Sequence, residues 1–211
     1  MQATYTDTNG RVSMAVTRSN QPIVRQIFLI ALIASFIFSA QYARAADELV
    51  PPFGFLWNDS MPRVEAVLHR AKAKLVSREK KENREVWTVE GLIHPGLKRT
   101  VFTFKGRALV AVELQYEYPN WGIEQYNRRM GEIRKYFDEK YGTGKLVSRS
   151  SGHDTDVIQT LVGYQWMVPK ADGSGTTMLE LFYFSAEQGR VPANSDRYPP
   201  VRIISVDYKA L

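Results

Sequence analysis

The pentapeptide Lys-Leu-Val-Ser-Arg occurs twice, at residues 74–78 and again at 145–149. Self-similarity of this kind constrains a fold more than composition does, because it implies one supersecondary unit used twice. The surroundings of the two copies agree. Before the first, Val64, Val67, Leu68, Ala71 and Leu75 form one apolar stripe at helical spacing, with Asp59 or Ser60 as a cap and Pro62 in the first turn. Before the second, Ile123, Tyr126, Met130, Ile133 and Phe137 line one helix face, Asn120 can cap it and Gly142 can stop it. Aromatic-x-aromatic triplets, Phe53-Gly54-Phe55 and Tyr116-Glu117-Tyr118, lead into the two helices. The first pentapeptide then closes its helix and the second follows its own.

Six segments rich in β-branched and aromatic residues read as strands: 85–89, 100–104, 109–118, 157–168, 177–184 and 201–208. Turn signals separate them, among them His94-Pro95-Gly96, Lys105-Gly106 and Asp172-Gly173-Ser174-Gly175. Each half ends on a similar alternating strand, Val112-x-Leu114-x-Tyr116 and Ile204-x-Val206-x-Tyr208. The expected order is a helix and about three strands, twice over, in units of about 53–118 and 116–211. Helices followed by runs of strands, with no β–α–β alternation, give an α+β fold: an antiparallel sheet with its helices on one face. In this element order, and in the aromatic lead into each helix, the chain resembles exported tandem α/β-repeat proteins. These are the β-lactamase inhibitor protein-like group and the small outer-membrane assembly lipoproteins. The resemblance is at fold level and rests on no specific motif; it implies a binding module acting on proteins through the sheet or loops. The chain departs from the lipoproteins in having no cysteine to lipidate.

The N-terminal 45 residues read differently. Ile27 to Ala40 is an uncharged apolar run of 14 residues, preceded by Arg11, Arg18 and Arg25 and followed by Ala43-Arg44-Ala45. These are the basic, apolar and small-x-small parts of a secretory signal, and the run is short for a bilayer-spanning helix, which takes about 20 residues. The expectation is cleavage after Ala45, leaving a single exported domain at 46–211, with Met14 as an alternative start and an uncleaved anchor as the competing reading. The mature part carries 24 Lys+Arg against 21 Asp+Glu, intermixed as in Arg78-Glu79-Lys80-Lys81-Glu82. Such mixing is unlike the one-signed patch of a nucleic-acid binder, so no nucleic-acid partner is expected. The absence of cysteine excludes disulfides, thiol catalysis and Cys-ligated zinc, and with an export signal it points to a bacterial periplasm. The membrane is then met only transiently, through the signal.

Catalytic motifs are missing: there is no H-E-x-x-H, G-x-S-x-G, P-loop or complete G-x-G-x-x-G. Neither catalytic residues nor a cofactor are assigned. His153, Asp154 and Asp156 have metal-compatible side chains and support an alternative reading as a metal-dependent envelope hydrolase. Ordinary turn chemistry accounts for the same residues, since a metal site needs further ligands. Partner-binding candidates are Tyr118 and Trp121, aromatic side chains at a strand–helix junction, and Arg190, Arg197 and Tyr198 in the long segment 188–200. The expected function is non-enzymatic binding or envelope assembly, with an envelope protein or cell-wall component as partner.

Overall fold

The computed structural model describes residues 47–154, 157–189 and 199–211. Its elements run α1 (Met61–Arg70), β1 (Lys74–Lys81), β2 (Arg84–Glu90), β3 (Leu97–Lys105), β4 (Ala108–Tyr116), α2 (Ile123–Tyr141), β5 (Lys145–Asp154), β6 (Val157–Pro169), β7 (Thr176–Gln188) and β8 (Val201–Ala210). The strands form one antiparallel sheet in the order β1-β2-β3-β4-β8-β7-β6-β5. Each helix is followed by four strands, not three. The additional strands are the two Lys-Leu-Val-Ser-Arg segments, which open β1 and β5. They are the two outermost strands, and each has a register irregularity at the same place, between Leu75 and Ser77 in β1 and between Leu146 and Ser148 in β5. Bulges and charged side chains are how natural sheets discourage edge-to-edge pairing.

Local chemistry sets the boundaries. α1 ends at Arg70, so Leu75, which continues the apolar spacing, belongs to β1 and is exposed. Asp59 does not cap α1; its carboxylate accepts the Leu56 N–H (2.9 Å) and pairs with Arg63 (2.7 Å). Gly122, not Asn120, is the N-cap of α2, and its N–H donates to the Gln125 side chain at 2.8 Å. Gly142 ends α2 at φ +85°, as its position in the sequence implies. The β3–β4 hairpin closes through Gly106 and Arg107, both at positive φ, which matches the twist of a two-residue hairpin loop. β4 stops at Tyr116, leaving Tyr118 in the connection to α2.

Side chains directly opposite one another in an antiparallel sheet share a face. One such row runs Trp87, Phe102, Val112, Tyr208, Leu179, Trp166 across six strands, and the next runs Val89, Thr100, Leu114, Val206, Leu181, Tyr164. Nearly all of these residues are buried. Both helices pack on this face. The approach to α1 sets Phe55 edge-on to Phe102 at 5.0 Å, and Glu65 of α1 pairs with Arg78, whose guanidinium lies 4.2 Å over Trp87. α2 sets Phe137 against Trp166 at 5.4 Å and Arg134 over Tyr164 at 4.1 Å. The core therefore lies between one sheet face and two helices, and no helix covers the other face among the described residues.

Candidate functional site

The uncovered face is where the polar residues of alternating strands collect. Its central row is Val101, Glu113, Asp207, Glu180, Gln165, contributed by β3, β4, β8, β7 and β6 in turn. Three carboxylates thus lie side by side on neighbouring strands, at positions where directly opposed side chains are in reach. A single ammonium serves them: Lys209 Nζ lies 2.5 Å from Asp207 and 2.6 Å from Glu180. Gln165 donates to Glu180 at 3.0 Å and Gln115 donates to Glu113 at 2.9 Å. Asp207 and Glu180 keep only 17% and 12% of their side-chain surface, so these charges are poorly hydrated despite the absence of a covering helix. Burial pushes the Asp207 carboxyl up to about 6; Lys209 opposes this, and the negative charges of Glu113 and Glu180 add to it. For Lys209 burial acts downward, but its bonds to Asp207 and Glu180 hold the ammonium above its ordinary range.

Apolar side chains flank the row. Ile203, Phe184 and Leu161 sit opposite one another on β8, β7 and β6, all half-buried. Phe182 lies over Gly163, where an added Cβ would come within 2.2 Å of its ring. Val201 and Met167 are exposed at the margins. The composition is that of an interaction surface, apolar around a small set of fixed polar groups.

The structure places the sequence-derived candidates elsewhere. Tyr118 and Trp121 stack face to face at 3.8 Å, and Tyr126 from the first turn of α2 meets both rings edge-on. The Tyr126 hydroxyl accepts the Tyr118 N–H (2.7 Å) and donates to the Tyr118 carbonyl (3.2 Å). Arg202 donates to the Trp121 carbonyl at 3.3 Å and pairs with Glu187 at 2.7 Å. The two rings thus brace the β4–α2 junction and leave only part of their surface to solvent. Gly96 completes the brace: its φ is +77°, and a Cβ there would fall 2.1 Å from the Tyr118 ring. Gly96→Ala is expected to cost about 2–4 kcal/mol, from strain at positive φ and displacement of Tyr118, and a urea titration reads this directly.

His153 and Asp154 are not in a turn; they end β5, opposite Ile158 and Val157. Asp156, Arg190, Arg197 and Tyr198 lie outside the described residues. Among the described residues no three His, Cys, Asp or Glu side chains gather closely enough to hold a metal ion, and no helix is long and apolar enough to cross a membrane. The carboxylate row escapes sequence reading because Glu113, Glu180 and Asp207 are far apart in the chain. The wet face of Val110–Tyr116 shows that Glu113 points away from the core, but only the strand order sets it beside the other two. The chain matches no family model, no curated protein and no solved structure.

Proposed function

We propose that the chain is an exported, non-enzymatic binding or assembly protein whose partner, a protein of the cell envelope, docks on the uncovered sheet face. The observation that carries this reading is the Glu113–Asp207–Glu180 row with one lysine among three carboxylates. Charges removed from water without full pairing cost stability, and sequences retain such costs mainly where function requires them. A partner presenting a lysine or arginine between these carboxylates would complete the pairing, and the flanking Phe182, Phe184 and Ile203 would supply apolar area around it. Export rests on the basic, apolar and Ala43-Arg44-Ala45 segments of the N-terminus.

The same reading takes the two halves as a tandem duplication. The matched bulges support this, and so does the register at the centre of the sheet. Leu114 and Val206 occupy the same place in the two alternating strands, and they lie directly opposite each other, with Tyr116 opposite Ile204 and Val112 opposite Tyr208. Two copies related by a twofold axis through that pair would have this register. Joining them buries one edge of each unit and leaves the bulged edges outermost.

Photo-crosslinking in the native cell tests the docking face. A photoreactive residue at Ser205 or Gln165 should trap one dominant envelope protein, a residue at exposed Lys135 of α2 should not, and Glu180→Lys should abolish the product. Equal trapping from Lys135, or a product that survives Glu180→Lys, would overturn the assignment. N-terminal sequencing of the same material should begin at Ala46.

A further inference from the structure

On the helix-covered side, a cleft of about 390 Å³ opens between α2 and the strand pair β4–β8. Its walls are mostly aromatic: Tyr116 and Tyr208 from the strands, Tyr136 from α2, Tyr118 and His94 from the connections beside β4. Pockets of this kind, apolar with a few convergent polar groups, are the usual form of a small-ligand site. Three features say what would fit it.

First, the hydroxyls of Tyr116, Tyr136 and Tyr208 have no hydrogen-bond partner among the described residues, and none of the three is sealed off inside the protein. Each can both donate and accept. Burial raises the Tyr116 hydroxyl to about 12 and moves that of Tyr208 further in the same direction, so both stay neutral. Second, the lining is balanced in charge. Its one guanidinium, Arg129, is paired with Glu132 at 3.2 Å, which leaves no net charge to attract an ion of either sign. Third, the walls are ring faces and edges, with His94 set edge-on to Tyr116 at 5.4 Å.

We infer that this cleft binds a neutral saccharide of one or two rings, its C–H faces packed on the tyrosine rings and its hydroxyls bonded to Tyr116, Tyr136 and Tyr208. A neutral polyol offers donors and acceptors together, as the tyrosine hydroxyls do. An aromatic acid would need a free cation, and a quaternary ammonium would leave the hydroxyls unpaired. The site lies across the sheet from the carboxylate row and does not depend on it.

Calorimetric titration of residues 46–211 with N,N′-diacetylchitobiose and with cellobiose tests the inference. Para-hydroxybenzoate and choline serve as probes for the competing chemistries. At least one disaccharide is expected to bind with a dissociation constant on the order of 1 mM. Tyr208→Phe, which keeps the ring and removes the hydroxyl, should weaken binding about tenfold. Tyr136→Phe, at an exposed position where folding is not at risk, should weaken it by a smaller factor. Silence from both disaccharides, binding of para-hydroxybenzoate or choline alone, or undiminished binding in both variants would each overturn it.

Discussion

Trp166→Ala is expected to lower the stability of the domain by about 3–5 kcal/mol, the range for removing a large aromatic side chain from a packed core. Trp166 is 2% exposed and lies on the helix-covered face, where three separate elements depend on it. Phe137 of α2 rests edge-on against it. Its indole N–H donates to Asp138 at 3.1 Å, and that same carboxylate oxygen accepts the Gly144 N–H at 2.7 Å. Gly144 itself lies against the indole so closely that a Cβ there would fall 2.4 Å from it. The substitution therefore opens a cavity, removes a partner from Asp138 and loosens the passage from α2 into β5. Domains of this size are stable by about 5–15 kcal/mol in total, so the variant should unfold at a much lower urea concentration with a similar slope. Trp166→Phe should recover about half of the loss. A change below about 1 kcal/mol in Trp166→Ala would mean that α2 does not depend on this contact.

Asp207→Asn should act in the opposite direction. The carboxyl titrates near 6 in the folded protein against an ordinary 3.8, so between those values the folded state binds more protons than the unfolded one. Stability should therefore rise as pH falls through 6 and level off below about 4, the reverse of a salt-bridged aspartate. Asparagine removes the charge and keeps the shape, and Lys209 retains Glu180 as its partner. The variant is expected to be more stable than the parent by about 1–2 kcal/mol at pH 7.5 and equal to it near pH 4. Thermal unfolding at the two pH values decides it. Destabilisation at pH 7.5 would show that the Asp207–Lys209 pair is net favourable and that the row carries no excess of negative charge.

The helices and the inner strands are legible in the sequence because burial on one side leaves a period. Tyr126, Met130 and Phe137 are buried at helical spacing, and Val112, Leu114 and Tyr116 are buried at alternate positions. The outer strands leave no such trace. Residues 74–81 are exposed almost throughout, and a charged edge strand reads as a solvated surface. The repeated pentapeptide marks the correct place but says nothing of its conformation, so it reads as the tail of a helix. Sequence locates Tyr118 and Trp121 at a junction, while their stacking depends on Gly96, 22 residues upstream of Tyr118, and on the first turn of α2. The carboxylate row is the least legible feature, since it exists only once β8 lies between β4 and β7.

That position of β8 also fixes a timetable. It is the most C-terminal of the eight strands and yet sits in the middle of the sheet, flanked by β4 and β7. A chain delivered N-terminus first, from a ribosome or through a membrane, can form the β1–β4 meander early and the β5–β7 meander later. The two stay unjoined, with β4 and β7 each showing an unpaired edge, until residues 201–210 arrive. Closing so distant a pairing is slow. The unfinished molecule is therefore at its stickiest just before completion, and a chaperone would be needed most in that interval.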